Sequence, residues 1–142
     1  MGNEGFVLGI DKQDIVPLKH ENVETIKADV AQDGLEDQIK AKGDVAFDVV
    51  LSDLSPNVSG VWEVDHARQI ELARCSLNIA HAVLKQTGNM LVKVFQGSEL
   101  KEFELAMRSC FRILRIVKPP ASRSESAELF FLGLGFLGQV PQ

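Results

Sequence analysis

The chain has 142 residues, 45% of them apolar and 25% charged, with 15 Lys plus Arg against 20 Asp plus Glu and a formal net charge of −5. That composition supports one domain with a real core, residues 1–142, and excludes an intrinsically disordered chain. No apolar run approaches the ~20 residues of a membrane helix, and the short acidic stretch from Met1 to Asp11 is no secretory signal, so a cytoplasmic protein away from membranes is expected.

Apolar runs alternate with helical patterns. Phe6 to Ile10 ends on Asp11, Val23 to Ala28 ends on Asp29, and Phe47 to Leu51 leads to Asp53. Asp33 to Lys42 reads as a short helix. Val64 to Gln86 is the clearest helix: Ile70, Ala73, Leu77, Ala80 and Leu84 form one apolar stripe, with Gly88 as the expected stop. Met90 to Phe95 (MLVKVF) is an apolar strand carrying one charge, Lys93. Ser98 is the expected cap of the next helix, with Glu99 and Glu102 in its first turn and Leu100, Phe103 and Met107 as its buried stripe. Phe111 to Val117 and Leu129 to Phe136 complete the strands, the last one expected to be antiparallel. Strand and helix in this alternation mean a mostly parallel α/β sheet.

Ligands of such sheets bind beyond the carboxyl ends of the strands. Three strands end in an acid, which points to a shared cleft. Asp11 suits ribose hydroxyls and Asp29 an exocyclic amine; the plainer reading of each is a cap or loop acid. Asp53 heads DLSPNVSG, where Pro56, Asn57 and Gly60 force a tight loop directly after a strand. Lys93 is costly to bury unless paired; its alternative is to snorkel to a strand edge. Glu128, at the start of the last strand, is a candidate partner. Asp53, Lys93 and Glu128 thus form a cluster able to activate a hydroxyl, without choosing between methyl, acyl and phosphoryl transfer. No P-loop, GxSxG, HExxH or GxGxxG occurs.

Cys75 and Cys110 are far apart, and with three His and no CxxC they suggest neither a disulfide framework nor a metal site. Both are expected to behave as small buried apolar residues. Charge is uneven: residues 1–53 hold 12 acids and 5 bases, whereas Arg108, Arg112, Arg115, Lys118 and Arg123 follow one another with no acid between them. On charge alone a solvated face is the preferred reading; the sharper one is an anion-binding face for a polyphosphate backbone.

GFVLGIDKQDIVPL, IKADV, FDVVLSDLSPNVSGVWEVDHARQIEL, GNMLVKVFQGSE and IVKPPASRSESAELFFLGLGF occur in order from Gly5 to about Phe136. With them the chain resembles the FtsJ/RrmJ family of ribosomal RNA ribose 2′-O-methyltransferases, and the GVWEVDHARQI wording looks like its archaeal branch. The resemblance implies a Rossmann-like, S-adenosylmethionine-dependent fold and the conversion of an RNA 2′-OH to 2′-O-methyl, with large-subunit ribosomal RNA as the expected substrate. By position, Asp11 would hold the cofactor ribose and Asp29 its adenine. Asp53 would serve both cofactor pocket and catalysis, Lys93 would be the central catalytic lysine, and Glu128 the last acidic member. Arg112, Arg115, Lys118 and Arg123 would belong to the RNA-binding face.

The family also has more chain ahead of Gly5, with a first catalytic lysine and a first strand leading into a Gly-rich, DLGxAPGGW-like loop. That strand lies between the strands ending at Asp11 and Asp53. Without it those strands should stand about 10 Å apart or pair directly. Two explanations present themselves. A fragment or wrongly started version of an active enzyme is preferred, because Asp53, Lys93 and Glu128 are all in place. A shortened protein whose open sheet edges oligomerise, serving as an inactive RNA- or ribosome-binding module, is the alternative.

Overall fold

The computed structural model describes residues 4–15, 20–42, 46–119 and 128–138. These fall in two compact units, Met1–Asp44 and Val45–Gln142. In the first, β1 (Val7–Asp11) and β2 (Val23–Lys27) run parallel, from Val7 opposite Val23 to Asp11 opposite Lys27. Helix α1 (Leu35–Lys42) buries Leu35 and Ile39, two residues one turn apart, and starts with Glu36 and Asp37 where the helix dipole favours acids.

The second unit contains β3 (Phe47–Ser52), α2 (Trp62–Val83), β4 (Leu84–Phe95), α3 (Leu100–Cys110), β5 (Phe111–Val117) and β6 (Glu128–Phe136). Its sheet has the order β3-β4-β6-β5. β3 and β4 are parallel, and β6 runs antiparallel to both β4 and β5, so the expected antiparallel last strand is present. Met90, Val92 and Val94 of β4 meet Ile70, Ala73, Leu77 and Ala80 of α2 and Phe103 and Met107 of α3 in one core. The Phe103 and Phe131 rings stack at 6.1 Å within that core. Burial of these side chains supplies the main driving force, about 1.5–3 kcal/mol for each large one.

β1 and β3 belong to different sheets, so direct pairing of the strands ending at Asp11 and Asp53 does not occur among the described residues.

Several sequence expectations need correction. α2 ends at Val83, not Gln86: the Leu84 N–H closes the last turn on the Ala80 carbonyl, and Leu84 is already extended. Gly88 is therefore no helix stop but lies inside β4, where a Cβ would sit 2.9 Å from the Asp48 carbonyl oxygen. The left-handed residue is Thr87 within β4, at φ 74°, in the stretch where the β3–β4 register also shifts. Ser98 does not cap α3, whose N-cap is Glu99 with no side-chain cap bond. Cys75 and Cys110 are half-buried thiols rather than buried ones. Among the described residues no helix is long and apolar enough to cross a membrane.

Candidate active site at the carboxyl edge of the sheet

β3 stops pairing at Ser52, opposite Val92. Beyond that point β4 continues for three residues with no strand on that side, which would orphan the Lys93 carbonyl and the Phe95 N–H in a buried place. Gln69 of α2 satisfies both. Its Nε2 donates to the Lys93 carbonyl at 2.7 Å and its Oε1 accepts the Phe95 N–H at 2.8 Å. The side-chain amide thus copies the peptide group of a parallel neighbour and prolongs the ladder while the real chain turns away. A longer bond, 3.4 Å from Nε2 to the Leu54 carbonyl, ties in the departing loop. Two turns along α2, Ser76 donates to the Leu72 carbonyl at 3.0 Å, which leaves its oxygen to accept the Ser52 hydroxyl at 2.8 Å.

Lys93 occupies the position this arrangement fixes. Val92 and Val94 enter the core, so strand alternation sends Lys93 to the opposite face. It is only 8% exposed. Burying an ammonium costs several kcal/mol unless it is compensated. Here Nζ meets Asp53 Oδ1 at 3.0 Å and donates to Ser55 Oγ. Among the described residues these two partners take two of its three donors, leaving one for a ligand. The lysine is therefore paired within the protein rather than snorkelling to water. Its acid partner is Asp53, whose side chain is 77% exposed, not Glu128. Glu128 lies opposite Phe95, two register steps from the Lys93–Phe130 pair and so on the same face, where diagonal neighbours stand roughly 7–8 Å apart.

The loop that carries Asp53 and Ser55 is tied back to α2. Asp65 Oδ1 accepts the Ser59 N–H at 2.8 Å and Oδ2 the Gly60 N–H at 3.3 Å. Gly60 takes φ +90°, which a residue with a Cβ rarely adopts. These bonds, the Ser59 backbone one first, hold the Asp65 carboxyl below its ordinary 3.8, with Arg68 adding attraction. On the other flank, His66 Nε2 accepts the Glu99 N–H at 3.0 Å, which places the ring proton on Nδ1. The His66 ring lies so close to Gly97 that a Cβ there would approach it to 2.6 Å. Glycine is required by contact at that position.

In the first unit Asp11 ends β1 and Asp29 lies two residues beyond the end of the neighbouring β2, and both are exposed. Each also makes a local turn: Asp11 Oδ1 accepts the Gln13 N–H at 3.1 Å, and Asp29 Oδ1 the Ala31 N–H at 2.9 Å. The loop-acid reading is thus realised, and the chemistry of two exposed carboxylates at successive strand ends still fits nucleoside hydroxyl and amine donors.

Arg112, Arg115 and Lys118 are all exposed on or just beyond β5, an outer strand; Arg123 lies outside the described residues. Arg108 departs from the basic run, because Glu104 pairs with it at 3.3 Å and with Lys101 at 3.1 Å. Those cations, Lys101 first, hold the Glu104 carboxyl below its ordinary range. Among the described residues no group of three or more His, Cys, Asp or Glu is arranged to hold a metal ion.

Residues 1–136 match the model of the FtsJ-like methyltransferase family. The chain belongs to that family. It is 42% identical over 139 residues to the ribosomal RNA large subunit methyltransferase E of Methanococcus aeolicus, covering 98% of this chain and 52% of that protein. The corresponding protein of Methanocaldococcus jannaschii is 39% identical over 142 residues, covering 98% and 58%. This FtsJ-like chain therefore spans about half the length of the curated relatives it matches. Among solved structures, a ribosomal RNA methyltransferase from Plasmodium falciparum superposes with a TM-score of 0.81 at 24% identity, over 94% of this chain and 73% of that one. A Streptococcus mutans methyltransferase solved in complex with SAH gives 0.51 at 11% identity, over 91% and 71%. The α/β methyltransferase fold is thereby shown, while nothing in these likenesses supports oligomerisation.

Four residues of this FtsJ-like site escape a reading of apolar periodicity. Ser55 lies in a loop with no pattern. His66, Gln69 and Ser76 form a second buried stripe on α2, beside Ile70, Ala73 and Leu77. Polar residues at spacings of three and seven next to an apolar stripe are the signal that finds them.

Gln69→Leu is expected to leave the Phe95 N–H and Lys93 carbonyl unsatisfied and to cost about 2–4 kcal/mol in urea unfolding; a loss below about 0.5 kcal/mol contradicts the clamp. Asp65 has a folded-state value below 3.8, so its bonds stabilise the fold above that pH and lose their effect as pH falls through the lowered value. The stability gap between the wild-type chain and Asp65→Ala should therefore be full near neutrality and shrink under acid. A gap independent of pH contradicts that assignment.

Proposed function

We propose that the chain carries the catalytic half of an S-adenosylmethionine-dependent RNA ribose 2′-O-methyltransferase, with large-subunit ribosomal RNA as substrate and the two units forming one methyltransferase domain. The observation that carries the reading is the buried Lys93 paired with Asp53 at 3.0 Å at the carboxyl edge of the sheet, in a chain of the FtsJ-like family. S-adenosylmethionine, when bound, supplies an electrophilic methyl on a sulfonium, which departs as a neutral thioether. The carboxylates of Asp11 and Asp29 would hold its ribose hydroxyls and adenine amine, and Asp53 would serve both cofactor binding and catalysis.

The remaining task is to align a ribose hydroxyl and remove its proton. Lys93 Nζ has its stem fixed by a strand and its head fixed by Asp53 and Ser55, so its remaining hydrogen-bonding direction is set in advance. Once the paired ammonium has given one proton to water through Asp53, its freed lone pair takes the proton of the 2′-oxygen as that oxygen attacks, and Asp53 stabilises the ammonium so restored. Because Asp53 is largely exposed, it connects the lysine to bulk water, which carries the proton away. Glu128, on the same face, orients the ribose by accepting from a neighbouring hydroxyl. Arg112, Arg115, Lys118 and Arg123 neutralise phosphates, a term that weakens with salt. A protein of this kind works in the cytoplasm, where it meets ribosomal RNA.

Lys93→Ala should lower methyl transfer from labelled S-adenosylmethionine to unmodified ribosomal RNA by at least about 100-fold while changing RNA affinity little. An equal collapse of RNA binding would make Lys93 a phosphate contact and remove its catalytic role.

A further inference from the structure

Trp62 is an unexpected residue to leave in the open. It is the first residue of α2 and 45% exposed, although tryptophan is the largest apolar side chain. What is covered of it is covered by rings. Its indole stacks on Phe95 at 5.6 Å with only 13° between the planes, and on His66 at 6.5 Å and 27°. Both supports are immobilised. Phe95 is buried and its N–H is held by Gln69; His66 is buried and holds the Glu99 N–H. The exposed indole is thus a rigid plate on a fixed base, which loses little entropy when something lies against it.

Its position gives the plate a direction. Phe95 follows Lys93 by two residues, about 7 Å along the strand and on the same face, and the indole stacks on Phe95. Val58, Val61 and Val64, close to it in sequence, are exposed as well. The same end of the sheet carries Lys118, just past Val117, whose partner Phe130 sits opposite Lys93. A flat aromatic group attached to an anionic chain fits this combination of apolar plate and nearby cations.

We infer that Trp62 is a stacking platform for an unpaired base of the RNA, which sets the ribose of that strand against Lys93. The inference rests on the RNA-methyltransferase reading above. Unpaired bases present a π-face to any aromatic side chain, so the contact favours single-stranded RNA without choosing its sequence. It adds a binding residue outside the Asp53, Lys93 and Glu128 cluster, and makes an unstacked nucleotide a condition of productive binding.

Trp62 is the only tryptophan of the chain, which has no tyrosine, so ultraviolet emission reports this one ring. The probe is a single-stranded RNA of about 12 nucleotides, together with a matched RNA whose bases are removed and whose phosphates remain. The intact RNA should quench the indole saturably, at the concentrations where a fluorescent end-label shows binding; the abasic RNA should not quench it. Trp62→Phe should keep affinity within about threefold and Trp62→Ala should lose about 5- to 150-fold, each variant first shown to melt like the parent chain.

Binding and methyl transfer with unchanged emission, and Trp62→Ala binding as the parent does, would overturn the platform while leaving the methyltransferase reading intact. Quenching by an aromatic peptide and not by RNA would also overturn it in favour of a protein partner. Failure of RNA to bind at all would overturn both readings.

Discussion

A buried ammonium has to be compensated, and the arrangement of the second unit follows from how Lys93 meets that demand. Lys93 follows one core valine and precedes another, and its side chain is buried on the opposite face, where only a partner of opposite sign makes the charge tolerable. Asp53 can be that partner because β3 ends one residue earlier and its chain turns out of the sheet. The turn would strand two backbone groups of β4, and Gln69 takes both. The ion pair, the end of β3 and the buried amide on α2 are three parts of one solution. Removing the amide disturbs the carbonyl of Lys93 itself.

The loop and helix starts around this point serve the same geometry. Asp65 ties the Ser59–Gly60 turn to α2, and His66 ties α2 to the start of α3 through Glu99. Gly97 is glycine because the His66 ring leaves no room for a Cβ. Asp53, Ser55 and Lys93 sit on a strand and a short, bonded loop, where small displacements are resisted. Such placement matters in methyl transfer, where the protein's task is mainly alignment and proton handling.

The strands, the two long helices and a buried Lys93 that needs a partner were legible in the sequence, because apolar runs, a helical stripe and a lone lysine in an apolar strand are local patterns. The family motifs carried the rest of the functional reading. What was not legible depended on contacts distant along the chain. Asp53 rather than Glu128 as the partner of Lys93 follows from where β3 stops relative to β4, a matter of register. Gln69 spans 24 residues to reach Lys93, and neither residue type alone announces that bond. The end of α2 was misplaced because Gly88 looks like a stop, whereas the chain turns earlier and the left-handed conformation falls on Thr87.

The central claim is that the oxygen methylated is a ribose 2′-oxygen, taken to the methyl by the Lys93–Asp53 pair. Alkali tests that chemistry directly, since it cleaves RNA only where a free 2′-oxygen can attack the adjacent phosphate. Unmodified large-subunit ribosomal RNA would be incubated with the protein and methyl-labelled S-adenosylmethionine, then digested to completion in alkali. Label recovered in alkali-resistant dinucleotides is the expected result. Label confined to mononucleotides would place the methyl on a base, and contradict the assignment of Lys93 to a ribose hydroxyl.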